Sequence, residues 1–324
     1  MTERKLRVAV VFGGHGAERT GSCLSAGSVL SQLDTDRFDV VPVGMATDGS
    51  WVLAPDGPKA LEAGPNGVTD IAVPDEVGEV LGEIDVVFPV FHGTYGEDGT
   101  IQGLLELAGV PYAGAGVLAS AAAMDGEFSR KLLAAEGLPV APFVVLRRGV
   151  PTIDDDARQR LGLPVHVTPA RGSGSTTVTT WEDLPDAIEA ARATDHKVIV
   201  TAAPTAREIQ CGVLEYPDGH VDASLPAEPH DDGADIPAKL PDDAIQKVRE
   251  LAVQAFRALN CQGLARVDFR VGDDDAVTVR QLNTMPGFDH TSLYPRMWSV
   301  TGVDMPTLLT TLVETAVARG TGLR

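Results

Sequence analysis

Residues 6–13, LRVAVVFG, run almost without a polar side chain into the pair Gly13-Gly14. A strand that is apolar on both faces belongs in the middle of a sheet covered on both sides, and such sheets are parallel and wound with helices. The following stretches fit that demand. Residues 22–33 have helical spacing, with Leu24, Val29, Leu30 and Leu33 expected on one side. A second strand fits Phe38–Val43, DVVFPVF (85–91) reads as another buried strand, and Thr100–Ala108 as a helix. Strand, helix, strand, helix in this order predicts a doubly wound, Rossmann-like α/β sheet, whose ligands bind beyond the carboxyl ends of the strands. Gly13–Ser22 and His92–Gly99 lie at two such ends.

The 324 residues exceed one typical core and predict three α/β blocks, placed at 1–123, 124–214 and 215–324. In the second block a helix is expected over 126–136, strands at Val140–Leu146, Pro164–Thr168, Lys197–Thr201 and Arg207–Leu214, and a helix at Asp183–Ala193. The third block should hold a helix at Asp242–Leu259, strands at Gly263–Val271 and Val277–Leu282, and a last helix near Met305–Ala318. Ala227–Gly233 (AEPHDDG) is polar and turn-forming, and is the expected flexible stretch. The net charge of −20 repels nucleic-acid phosphates and anionic lipid, so neither is an expected partner. Three widely spaced cysteines, Cys23, Cys211 and Cys261, form neither a disulfide framework nor a zinc pattern. No apolar run reaches the roughly 18 residues needed to span a bilayer, and the start lacks a signal-peptide core. A cytoplasmic location is expected.

Three stretches carry a resemblance. They are GGHGAERTGSCLSAGSVL (13–30), FPVFHGTYGEDGTIQGLLELAGVPYAGAGVLASAAAMD (88–125), and GLARVDFR (263–270) followed by QLNTMPGFDHTSLYP (281–295). They resemble the D-alanine–D-alanine ligase family, which implies a three-domain ATP-grasp fold, a homodimer formed through the N-terminal domain, and an amino-acid-like substrate. In that family ATP phosphorylates the carboxylate of one D-alanine, the amine of a second attacks the acylphosphate, and magnesium bridges the phosphates to carboxylates. By the resemblance, Glu18 holds the first ammonium group. Ser22, His92, Glu97 and Asp98 line the amino-acid pocket, and Gly287, Ser292 and Leu293 close over the second amino acid. Arg266 stabilises the developing oxyanion, with His92 and Glu18 beside it as the remaining catalytic candidates, and Glu208 meets the ribose. Asp268 and Asn283 stand at two of three magnesium positions.

Other family positions carry different residues here. Gly126 and Thr168 stand where two phosphate lysines are expected, and Thr201-Ala202 where an adenine-capping acid is expected. Gln281 replaces a metal-binding carboxylate, and an amide is the poorer magnesium ligand. The loop that should carry a tyrosine and a lysine over the substrate is shortened, and no tyrosine occurs from 217 to 293. These positions predict a degraded nucleotide and metal site with no cofactor, and a protein repurposed for nucleotide-independent chemistry on an amino acid or acyl compound. His92, Cys23 and His166 are then the candidate reactive groups. Two alternatives stay open: a non-catalytic pseudo-enzyme or binding partner, and an active D-amino-acid ligase with weakened use of ATP and magnesium.

Overall fold

The computed structural model describes residues 4–14, 18–46, 51–54, 57, 81–273 and 275–322. The first sheet has the order β3-β2-β1-β4, with β1 (Leu6–Gly13), β2 (Phe38–Met45) and β4 (Val86–Val90) parallel and β3 (Trp51–Leu53) antiparallel at one edge. Val8 through Phe12 are completely buried, as a two-sided apolar strand requires. Helix α1 (Arg19–Gln32) lies on this sheet. Its buried side is Ser22, Cys23, Ser25, Ala26 and Val29, while Leu24, expected inside, is 52% exposed. Small side chains let α1 come close, and at Gly21 a Cβ would stand 3.3 Å from the His92 ring. Helices α2 (Thr100–Ala108) and α3 (Val117–Met124) follow.

Helix α4 (Gly126–Ala135) opens on Asp125, whose side chain accepts from Glu127 N and Phe128 N. The same carboxylate meets Lys197 Nζ at 2.6 and 2.8 Å, which ties the entry of the strand Val198–Ala202 to the start of α4. The second sheet runs β5-β8-β6-β7 (Phe143–Leu146, Val198–Ala202, Val165–Pro169, Thr176–Val178), with α5 (Asp155–Leu161) and α6 (Leu184–Arg192) between its strands in sequence. The third runs β10-β9-β13-β14 (Val221–Ala223, Arg207–Glu215, Leu264–Val271, Val277–Asn283) and is covered by α7 (Asp242–Ala258). β13 pairs with β9 along the whole of β13, so the strand assigned by sequence to the second block joins the sheet of the third.

Ala227–Gly233 is an ordered element, not a flexible loop. Glu228–His230 (β11) and Gly233–Asp235 (β12) form a short hairpin, joined to β9 through Gln210 and Ala227. Arg207 grips Glu228 with two guanidinium nitrogens, Nε at 2.7 Å. Helices α8 (Leu293–Thr301) and α9 (Met305–Arg319) return to the first sheet, where Tyr294, Trp298, Leu308 and Leu312 share one core with Val8, Val10 and Phe12. Among the described residues, no helix is long and apolar enough to cross a membrane.

Candidate functional site

A cavity of about 770 Å³ opens where the three sheets meet. Its wall takes Glu18 from the turn before α1, His92 and Glu97 from the loop after β4, and Gly126, Ser129 and Arg130 from α4. Thr168 comes from β6, and Gly172–Ser175 from the loop after it. Arg266, Arg280, Gln281, Asn283 and Gly287 come from β13, β14 and the loop beyond. A smaller adjoining slot of about 40 Å³ lies between the second and third sheets, lined by His166, Thr201, Ala202, Arg270 and Arg280 among others.

Pairing register builds the floor. Arg266 stands opposite Asn283, and Asp268 opposite Gln281, on one face of β13 and β14, while Val267, Phe269 and Val271 turn into the core. Arg266 donates to both Asp268 oxygens, at 2.8 and 3.1 Å. Burial works against the Arg266 charge, but Asp268 outweighs it and raises the pKa, so the guanidinium stays cationic and fixed.

At the opposite end, Gly93 has φ +71°, and a Cβ there would approach Glu18 Cγ to 3.2 Å, so the loop lets Glu18 lie against its backbone. Glu97 accepts from Gly93 N at 2.6 Å. Burial, aided by the charge of Glu18, pushes the Glu97 carboxyl up to about 7 against the opposing pull of that bond and of Arg266. Burial likewise lowers the pKa of His92, against the charges of Glu18 and Asp289, so its ring favours the neutral form. His92 Nε2 lies 3.4 Å from Ser25 Oγ.

Several expected site residues stand behind the wall. Ser22 is fully buried, accepts from Gly13 N at 2.7 Å and donates to Val90 O, so it fastens β1 to β4 and does not line the cavity. Asp98 caps the turn before α2, accepting from Tyr95 N and Thr100 N at 3.0 Å each. Ser292 donates to Asp289 Oδ2 at 2.6 Å behind Gly287, and Leu293 opens α8; neither lines the cavity. Cys23 is a core residue under the first sheet, which removes it as a reactive group. His166 does line the smaller slot, its Nδ1 3.2 Å from Thr177 Oγ1, and burial together with Arg270 and Arg280 lowers its pKa. Glu208, expected at the ribose, is paired with Arg270 Nη2 at 3.0 Å.

The metal donors are few. Asp268 is 4% exposed, and its oxygens are engaged by Arg266 and by Gln281 Nε2 at 2.8 Å; Asn283 Oδ1 accepts from Met285 N. No group of three or more His, Cys, Asp or Glu side chains suited to a metal occurs among the described residues. This donor set does not fit a protein-held pair of magnesium ions. What it offers an ion arriving with phosphates is Asn283 on the cavity wall, with Asp268 held by Arg266 and Gln281 behind it.

Comparison with known proteins bears directly on this cavity. The model described as D-ala D-ala ligase N-terminus matches residues 7–115, and that described as D-ala D-ala ligase C-terminus matches 132–235 and 228–314. The chain belongs to the D-alanine–D-alanine ligase family. It is 54% identical over 367 residues to the D-alanine–D-alanine ligase of Mycobacterium sp. (strain KMS), covering 99% of each chain. It is 53% identical over 365 residues to that of Nocardia farcinica (strain IFM 10152), covering 100% of each. Among solved structures, the D-alanine-D-alanine ligase from Coxiella burnetii superposes with TM-score 0.84 at 31% identity, over 97% of this chain and 94% of that one. The VanG D-Ala:D-Ser ligase from Enterococcus faecalis gives 0.85 at 30%, over 97% and 100%. The ATP-grasp ligase fold expected from sequence is therefore present.

The expectation of a protein repurposed for nucleotide-independent chemistry is overturned. Identity above one half, running through nearly the full length of ligases, is what an active member of the D-alanine–D-alanine ligase family carries. Neither the pseudo-enzyme reading nor a degraded nucleotide site receives support: Gly126 and Thr168 sit on a wall that also presents Arg130, Arg266 and Arg280. The aligned spans exceed the 324 residues of this chain, so these relatives carry residues it lacks. The C-terminal match breaks into two stretches that meet at 228–235, the β11–β12 hairpin. No residue between 225 and 240 lines the cavity.

Proposed function

We propose that this chain is an ATP-dependent ligase that joins two molecules of D-alanine. The observation that carries the reading is the polarity of one continuous cavity: carboxylates Glu18 and Glu97 at one end, arginines Arg130 and Arg280 at the other, and Arg266 on the floor. An ammonium is stabilised at the first end and phosphates at the second, which sets a bound amino acid's carboxylate in the middle.

In this reading Glu18 accepts the ammonium of the first D-alanine, and His92, kept neutral by its burial, adds no opposing positive charge. Arg266, braced by Asp268, presents its remaining donors to the carboxylate as it is phosphorylated. The terminal phosphoryl group of ATP passes to a carboxylate oxygen and ADP leaves. The amine of the second D-alanine attacks the acyl carbon, loses a proton, and phosphate departs as the peptide bond forms. Asn283, with Asp268 behind it, would be the residue to hold magnesium, whose chemistry there would be to neutralise phosphate charge. Gly287 keeps the wall around the second amino acid thin, because Ser292 Oγ fills the space where its side chain would start.

The support is the extent of likeness to proteins named D-alanine–D-alanine ligases. The test is to incubate the protein with ATP, magnesium and D-alanine, with D-serine as a competing acceptor because one structural neighbour is a D-Ala:D-Ser ligase. D-alanyl-D-alanine and ADP in equal amounts are expected. ADP without dipeptide, or neither, removes the reading.

A further inference from the structure

The sequence places neutral residues, Gly126 and Thr168, at the positions where the resemblance expects phosphate lysines, yet the cavity wall between them is not uncharged. Helical side chains lean toward the N-terminus, so a residue at position i+4 lies over position i. Arg130 does this. Its Nη1 returns to donate to Gly126 O at 2.8 Å. A Cβ at position 126 would stand 2.7 Å from that nitrogen and 3.1 Å from Ile199 Cδ1. A long side chain at 126 and the guanidinium in this place therefore exclude one another, and the glycine is what makes room for the arginine.

Arg280 reaches the cavity by a different device. The β13–β14 register passes from Asp268 opposite Gln281 to Phe269 opposite Val279, so Arg280 is the extra residue of a β-bulge. Strict alternation would send Arg280 and Gln281 to opposite faces; the bulge brings both to the cavity wall. The two arginines are poorly matched by carboxylates. The hydrogen bond of Arg130 goes to a backbone carbonyl, and burial with the charge of Arg280 pulls its pKa down to about 10. Arg280 meets Glu208 only at 3.8 Å, and Glu208 is already bound to Arg270. Beside Arg130, Ser129 is 2% exposed and its Oγ has no hydrogen-bond partner. Like charges brought together at a partly buried wall are costly unless an anion joins them, and in a chain of net charge −20 they have not collected by default.

We propose that Arg130 and Arg280, with Ser129 as an additional donor, bind the phosphates of the nucleoside triphosphate, in place of lysines at positions 126 and 168. The proposal rests on the ligase reading for its ligand, but the anion site itself does not. The cation has moved one helical turn along α4 and across to the bulge of β14. The phosphates would then be met by planar, multi-donor groups instead of point charges.

The test uses the full chain with Arg130→Met, Arg280→Gln and the double variant Gly126→Lys/Arg130→Met. Three quantities are read: KM for ATP at saturating D-alanine, affinity for inorganic tripolyphosphate by calorimetry, and ligand-free Tm. Each single variant should weaken both ATP and tripolyphosphate by about tenfold or more, the loss of a charge-assisted contact. KM for D-alanine should stay within about twofold by the same argument, since neither side chain is at that end. Ligand-free Tm should hold or rise, because like-charge repulsion is relieved; a structural role would lower it. The double variant should recover much of the loss, since the lysine enters the space that the guanidinium vacates. ATP and tripolyphosphate binding within twofold of the parent in both single variants overturns the proposal, as does a parallel loss in Tm and in both KM values. If Arg130→Met does not fold, Arg280→Gln decides. Turnover with unaffected variants sinks the arginine site and leaves the ligase reading. Arginine-dependent tripolyphosphate binding without turnover does the reverse.

Discussion

Glu97 gives the site a pH signature. Its carboxyl is raised from 4.5 to about 7 by burial, so the folded protein favours the neutral form. The stability linked to it is complete below about 4.5 and is lost as pH rises through about 7. Glu97→Gln should flatten the dependence of Tm on pH between those values, and an unchanged slope would show that the group is not raised. Arg266 makes a separate prediction. Arg266→Lys keeps a cation beside Asp268 but loses the two-nitrogen grip. Its kcat should fall by about 10²-fold or more, the scale for losing a donor to a developing oxyanion, with KM for ATP changed far less. A kcat within a few-fold of the parent would take Arg266 out of that role.

At the scale of elements, the legible parts were those where pattern and burial agree. LRVAVVFG could only be a central strand, and Thr100–Ala108 could only be one helix between two turns. Helix α1 was read correctly at Val29, Leu30 and Leu33 but not at Leu24, because the rest of its buried side is serine, cysteine and alanine, which a search for large apolar residues passes over. Ser22 shows the same limit in the site. The resemblance implied a pocket residue there, but its hydroxyl joins two strand ends. Ser22→Ala should therefore cost about 1–3 kcal/mol of stability, measured by denaturant unfolding, with KM for D-alanine unchanged. A normal stability with a raised KM would return Ser22 to the pocket. Arg130 was visible as a cation one turn beyond Gly126, but only the direction in which helical side chains lean shows that it reaches back. The bulge at Arg280 left no mark in the sequence, because a register shift is set by both strands together.

At the scale of the molecule, the three sheets contribute to one cavity, and α8 and α9 bind the third block to the first through a shared core. The ends of the cavity are thus held by different parts of the fold, which suits a reaction that brings two substrates together. Single missing lysines argued against ATP when weighed one at a time. The charge of the whole wall, which no single position reveals, argues the other way. The most direct measurement of the central claim is the fate of carboxylate oxygen. The protein is given ATP, magnesium and D-alanine labelled with oxygen-18 in its carboxylate, and the released phosphate is weighed by mass spectrometry. The account predicts one labelled oxygen in each phosphate that accompanies a dipeptide, because that oxygen was phosphorylated. Phosphate released without label, or dipeptide formed without phosphate, would contradict it.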